Sequence, residues 1–206
     1  MALSTGSTLA DYLVPAPVSR TSTLLRDVIL VVGSSIFLAI CAQISIHLPI
    51  TPVPFTLQPL AVVLIGAALG SKRGALAVLL YLAEGAAGLP VFEGFAGGFI
   101  HLIGYTGGYL WAFPIAAFVT GLLCEKGLDR SFATSLLAML PATLIIYALG
   151  VPWLAVVLHM SLDKAFMAGA VPFVVGDLIK LLVATALLPS AWSLVRLVRP
   201  DALKRS

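Results

Sequence analysis

Charge is what this sequence has least of. Only 10% of its 206 residues are Asp, Glu, Lys or Arg, while 60% are hydrophobic and mean hydropathy is +1.09. Soluble domains carry roughly a quarter charged residues, so this chain could not clothe a water-facing surface. Cysteine is equally scarce. Cys41 and Cys124 lie in or beside apolar stretches and read as unpaired buried thiols, not as a disulfide framework. The three histidines, His47, His101 and His159, have no ligand-like spacing, so no metal site is expected. A nucleotide phosphate loop is missing too, because Gly70-Ser-Lys-Arg-Gly74 lacks the required spacing. No second intramembrane aspartate accompanies Asp177 as an aspartyl protease needs, and no Gly-x-Ser-x-Gly nucleophile stands out. Inverted repeats with matched broken helices are not evident either. These absences predict neither a catalytic residue nor a cofactor. The basic residues are not interleaved with aromatics, which excludes a nucleic-acid surface. Met1 to Thr23 is polar, carries Pro15 and Pro17, and lacks the pattern of a cleavable signal.

What is present is apolar sequence in blocks. Six stretches can be marked: 24–48, 57–70, 74–88, 104–124, 132–158 and 171–198. The second is short for a straight span. The fifth is expected to be interrupted by Pro141 and Pro152; in the sixth, Pro172 suits a first helical turn and Pro189 a kink. An all-α integral membrane fold of six transmembrane helices follows, with a cytoplasmic segment 1–23, a membrane domain 24–198 and a cytoplasmic tail 199–206. With the amino terminus inside, Arg20, Arg26, Lys72, Arg73, Lys126, Arg130, Arg196, Arg199, Lys204 and Arg205 all fall on the cytoplasmic side. Only Lys164 and Lys180 fall toward the other. That bias is the usual orienting signal, and it predicts a multi-pass cell-membrane protein with both termini cytoplasmic. The segments rich in Pro, Gly and aromatics, 49–58 and 89–103, then emerge outside. Irregular backbone at membrane depth needs protein or water around it, so a ligand cavity is expected near the external face.

Asp177 and Lys180 are the most informative residues. Three apart on a helix, they share a face. Asp177 precedes Arg196 by nineteen residues, about 28 Å of helix, which sets it near the outer interface if Arg196 marks the inner one. Charges within a span are costly and count as functional candidates. Two readings stay open: a pair that merely neutralises itself, or one that also offers an acceptor and a donor to a ligand. Glu84 sits about one turn from the end of the third stretch, where ligand contact and helix packing are equally plausible. Glu93 lies in the Gly-rich loop 88–98, whose glycines permit close approach. Phe92, Phe95, Tyr105 and Tyr109 could wall a site or form an interfacial aromatic belt. Gln58 opens the second stretch as an uncharged polar group. Ser35, Ala39 and Ala42 form a small-residue stripe on the first helix that is a plausible docking face for a partner.

Several segments, in order along the chain, resemble the BioY family, the substrate-binding S components of biotin transporters of the energy-coupling-factor (ECF) type. They are Ala42-Gln-Ile-Ser, Pro52-Val-Pro-Phe-Thr-Leu-Gln58, Gly88-Leu-Pro-Val-Phe92, Gly97-Gly98, Thr106-Gly-Gly-Tyr-Leu110, and Pro172-Phe with Gly176-Asp-x-x-Lys180. The resemblance runs from about Leu24 to Ala184. It implies a six-helix S-component bundle, capture of biotin from outside, and partnership with a transmembrane coupling protein and two cytoplasmic ATPases. By the same resemblance Asp177 and Lys180 would meet the biotin ring, and Gln58, Phe92, Glu93, Tyr105, Thr106, Tyr109 and Glu84 are the further substrate-binding candidates. The chemistry agrees, since a ureido ring presents two N–H donors and one carbonyl acceptor. Glu93 and Tyr105 depart from the family pattern, which commonly has a small or amide residue and a proline there. The group that would receive the valerate carboxylate is left unassigned. The expected function is a biotin-binding transporter subunit without catalytic activity. Its rivals are a self-sufficient facilitator for a small carboxylate, and an intramembrane enzyme using Asp177 and Lys180 as acid and base.

Overall fold

A computed structural model describes residues 8–14 and 19–198. The tail from residue 199, with Arg199, lies outside the described residues, as does the side chain of Arg196. All six apolar stretches are helical: α2 (Arg20–Gln43), α3 (Gln58–Leu69), α4 (Ser71–Ala86), α6 (Gly107–Glu125), α7 (Phe132–Val157) and α9 (Val174–Val198). A short helix α1 (Leu9–Leu13) precedes them, and between them lie α5 (Ile100–Ile103), α8 (Leu162–Gly169) and a hairpin pairing β1 (Ser45–Ile46) with β2 (Phe55–Thr56). Among the described residues, four segments are long and apolar enough to cross a membrane: α2, α6, α7 and the run Leu162–Val195. At about 1.5 Å per residue, the 12-residue α3 reaches only about 18 Å.

Local signals start these helices. Ser19 and Ser131 cap α2 and α7 by accepting from the N–H groups of Ser22 and Thr134. Ser71 opens α4 by donating its N–H and its hydroxyl to Glu125 Oε1, at 2.7 and 2.9 Å, which sets a carboxylate on that helix N-terminus. Two expectations change. The first helix stops at Gln43, five residues early, because the chain turns there into the hairpin. Pro141 and Pro152 do not interrupt α7, which runs through both; apolar surroundings and neighbouring helices tolerate proline within spans.

α6 sits at the centre against α3, α4 and α7. Its Ala112, Ala116 and Ala117 are fully buried, and a Cβ on Gly66 of α3 would stand 2.3 Å from the carbonyl oxygen of Ala117. Small residues thus let the backbones meet. The outer faces of α2, α7 and α9 expose Leu25, Ile29, Ile40, Leu137, Leu144 and Leu187 among many others, as lipid contact requires. The stripe expected to dock a partner is corrected here: Ser35 and Ala42 are fully buried within this chain and Ala39 is half-buried, because this face of α2 packs on α4.

The two ends of the bundle differ. At one, α1 is tied down by charge: Asp11 meets Arg26 at 2.6 Å and Arg73 at 2.9 Å, and Arg73 also meets Asp27 at 3.1 Å. Tyr12 of α1 lies edge-on to Trp192, whose indole donates to the buried Asp129 at 2.6 Å; burial pushes the Asp129 carboxyl up from its ordinary value. Burial also pulls the Asp11 carboxyl upward, but hydrogen bonds from Arg26 and Thr8 and the charge of Arg73 outweigh it and hold it at about 2. A depressed carboxylate stabilises above its unfolded value and loses that effect as pH falls through the folded one. The α1 anchor therefore holds from pH 8 to 5 without change. Asp11→Asn should release it, with amide exchange in α1 at least about tenfold faster and exchange in α6 unaltered. Unchanged exchange in α1 would show that apolar packing alone holds it.

Candidate functional site

The opposite end holds a cavity of about 670 Å³. Its walls are the hairpin loop after α2, the loop between α4 and α6, and the facing turns of α6, α7 and α9. The α9 helix brings Asp177 and Lys180 onto this wall one turn apart. Lys180 Nζ lies 2.9 Å from Asp177 Oδ1, 2.6 Å from the Thr56 carbonyl and 3.5 Å from the centre of the Phe55 ring. The Tyr147 hydroxyl of α7 donates to Asp177 Oδ2. Both charged side chains are nearly enclosed, 8% and 13% exposed. Lys180 carries three donors and spends two on these oxygens; a carboxylate has about four acceptor sites, of which Asp177 uses two. One donor and two acceptor positions remain for a guest.

Aromatic rings shape the rest. Phe55 stacks on Phe173 with centroids 5.9 Å apart, and Phe92 meets Tyr81 edge-on at 5.5 Å. Glycines seat these rings: a Cβ on Gly85 would fall 2.1 Å from Phe92, and one on Gly176 would fall 2.2 Å from Phe55. These two glycines lie on α4 and α9, outside the loop 88–98 whose glycines the sequence singled out. Gln58 donates to the Tyr81 hydroxyl at 2.8 Å and accepts from Thr56 Oγ1 at 3.2 Å, so its amide braces the wall as well as lining it. The Tyr109 hydroxyl is spent on the Gly169 carbonyl at 2.8 Å. Gln43 pins the loop over the cavity: its Nε2 donates to the Val91 and Phe92 carbonyls at 3.3 and 3.0 Å, and its Oε1 accepts from the Phe95 N–H at 2.8 Å.

Of the expected substrate-binding residues, Asp177, Lys180, Gln58, Phe92, Glu93, Tyr105, Thr106 and Tyr109 all line the cavity. Glu84 does not. It faces α2, accepts from Ser35 Oγ at 3.1 Å and borders a separate shallow hollow with Ala39 and Gln43. Its position on α4 turns it toward the helix neighbour. Phe95, considered as wall, is 72% exposed and also borders that hollow. Sequence reasoning missed Tyr147, Phe55, Phe173 and His47. Phe55 and Phe173 stood inside the motifs already singled out. Tyr147 is a lone phenol in a long aliphatic run, and a polar group in a span is a signal in itself.

An enclosed, oppositely charged pair opens on an aromatic cavity inside a lipid-facing bundle, the geometry of a membrane protein with a site shaped for a small polar molecule. The model of the BioY family matches residues 14–197, and the chain belongs to that family. It is 48% identical over 139 residues to a probable biotin transporter BioY of Pyrococcus horikoshii, covering 68% of this chain and 79% of that one. Against the biotin transporter BioY of Thermotoga maritima it is 52% identical over 139 residues, 68% and 80% of the two chains. Against that of Rhizobium etli it is 38% identical over 173 residues, 79% and 90%. The crystal structure of the S-component for biotin from an ECF-type ABC transporter shares the fold, with a TM-score of 0.76 at 24% identity over 90% of this chain and 96% of that one. The chain is a multi-pass membrane protein of a transporter family, not an enzyme.

Proposed function

We propose that this protein is the biotin-capturing subunit of an ATP-driven uptake system. Asp177 accepts from a ureido N–H, Lys180 donates to the ureido oxygen, and the rings of Phe55, Phe92 and Phe173 enclose the apolar bicycle. One observation carries the reading: the enclosed pair faces a cavity and keeps hydrogen-bonding capacity unspent. The names of the relatives support the choice of biotin. In this reading the end holding α1 is cytoplasmic, in keeping with the positive charge gathered there. Residues 1–23 and 199–206 flank the membrane domain on that side, in the plasma membrane. The energy comes from a transmembrane coupling protein and two cytoplasmic ATPases, since no phosphate loop exists in this sequence.

Titrating detergent-purified protein with biotin and desthiobiotin tests it. Saturable binding of both is expected, because both keep the ureido ring, and a straight-chain fatty acid of similar length should not compete. Absence of saturable biotin binding by folded protein would overturn the proposal. Biotin uptake by this chain in a host stripped of coupling proteins would instead assign transport to the chain alone.

A further inference from the structure

The cavity carries charged groups at both its inner and its outer end. Exposure grades along the wall: Lys180 and Asp177 are 8% and 13% exposed, Glu93 is 23% and His47 is 70%. Glu93 and His47 therefore mark the mouth. The Glu93 Oε1 atom lies 3.2 Å from His47 Nε2 and accepts from Ser45 Oγ at 2.9 Å; its Oε2 has no hydrogen-bond partner among the described residues. The pair joins the hairpin loop after β1 to the loop after α4, the two segments that roof the cavity.

We infer that the Glu93–His47 pair sets which tail chemistry the site accepts, and makes acceptance of a carboxylate tail depend on the charge of His47. The inference rests on the reading above, with the ureido ring at Asp177 and Lys180. An anionic tail keeps its hydration and so lies at the exposed end, beside Glu93. With His47 neutral, the mouth carries one negative charge and repels a free carboxylate. With His47 protonated, the pair sums to zero and the repulsion is lifted. Histidine is the side chain that changes charge between about pH 5 and 8, so a carboxylate ligand gains affinity as pH falls through that range. An amide tail carries no charge and stays indifferent.

The other titratable groups lining the cavity are His101 of α5, Tyr105 and Tyr109 at the turn into α6, Tyr147 of α7, and Asp177 with Lys180 of α9. The α9 pair meets the ring end, and so acts alike on both tails. His101 is the rival source, since its protonation would also favour an anion.

The experiment measures binding of biotin and of biotinamide to the full chain at pH 5.5, 6.5 and 8, in wild type, Glu93→Gln, His47→Gln and His101→Gln. The expected result for wild type is about three- to tenfold tighter biotin binding at pH 5.5 than at pH 8, with biotinamide unchanged, the size of a partly screened charge contact. Glu93→Gln should raise biotin affinity at pH 8 by a similar factor, and His47→Gln should flatten the profile. His101→Gln should keep the wild-type slope. Equal profiles for the acid and the amide, or a slope that survives His47→Gln, would overturn the inference while leaving biotin binding intact. Failure of both ligands to bind folded protein would instead strike the reading on which it rests.

Discussion

Asp177→Asn should lower biotin affinity by at least about a hundredfold, near 2.7 kcal/mol. The loss exceeds that of one hydrogen bond to ligand. Lys180 has one other oxygen partner, the Thr56 carbonyl, and is 8% exposed, so the amide leaves its ammonium without a countercharge. Breaking a buried pair from one side costs about 3–5 kcal/mol, because a charge is stranded. The Tyr147 hydroxyl loses its anionic acceptor as well. The apo protein should be destabilised too, so calorimetric titration is paired with thermal melting in the same detergent. A double-mutant cycle sharpens the test. Asp177→Asn with Lys180→Met should be less harmful to stability than the sum of the single changes, since both charges leave together. Biotin affinity within about threefold of wild type in folded Asp177→Asn protein would exclude the pair from the site.

The second large effect concerns the scaffold. Gly66→Ala should lower stability by at least about 2–3 kcal/mol, at the upper end of what overpacking costs. The added methyl would stand 2.3 Å from the Ala117 carbonyl oxygen and 3.0 Å from the Ala117 Cα. Both are backbone atoms of the central helix, so no side chain can swing aside. Either α3 moves away from α6 or α6 is bent. Moving α3 also moves Gln58, the brace on Tyr81, so binding should fall with stability. Loss of a monodisperse peak in size-exclusion chromatography, or a melting midpoint several degrees lower, is the expected readout. A midpoint equal to wild type would show that the two helices have slack here. Gly33 is the internal control: a Cβ there meets nothing within 4 Å, and Gly33→Ala should be neutral or stabilising.

Much of this was legible because lipid imposes simple rules. Apolar blocks of span length had to be helices, since only internal hydrogen bonding satisfies a backbone in hydrocarbon. Asp177 and Lys180 stood out because charge in a span is rarely idle. Side-chain direction was harder to read. Glu84 and Ser35 carry the same kinds of signal as the site residues, yet they meet each other between α2 and α4. One turn of helix rotation decides between a cavity and a seam, and periodicity in an almost uniformly apolar helix does not record it. α3 shows the difficulty: eight of its residues from Gln58 to Leu69 are buried, on no single stripe.

By itself the sequence determined the membrane class, the six helical stretches, the segregation of positive charge and the identity of the buried ion pair. These follow from composition and from spacing along one chain, where hydrocarbon penalises each error. Only the tertiary structure decided that Tyr147 completes the pair, that glycines seat aromatic rings, that the small-residue stripe of α2 packs inward, and that His47 reaches Glu93. The Tyr147, α2-stripe and His47 contacts each bring together residues about thirty to fifty positions apart, and Gly176 meets Phe55 from farther still. Close packing in three dimensions makes that selection, and local pattern carries no term for it.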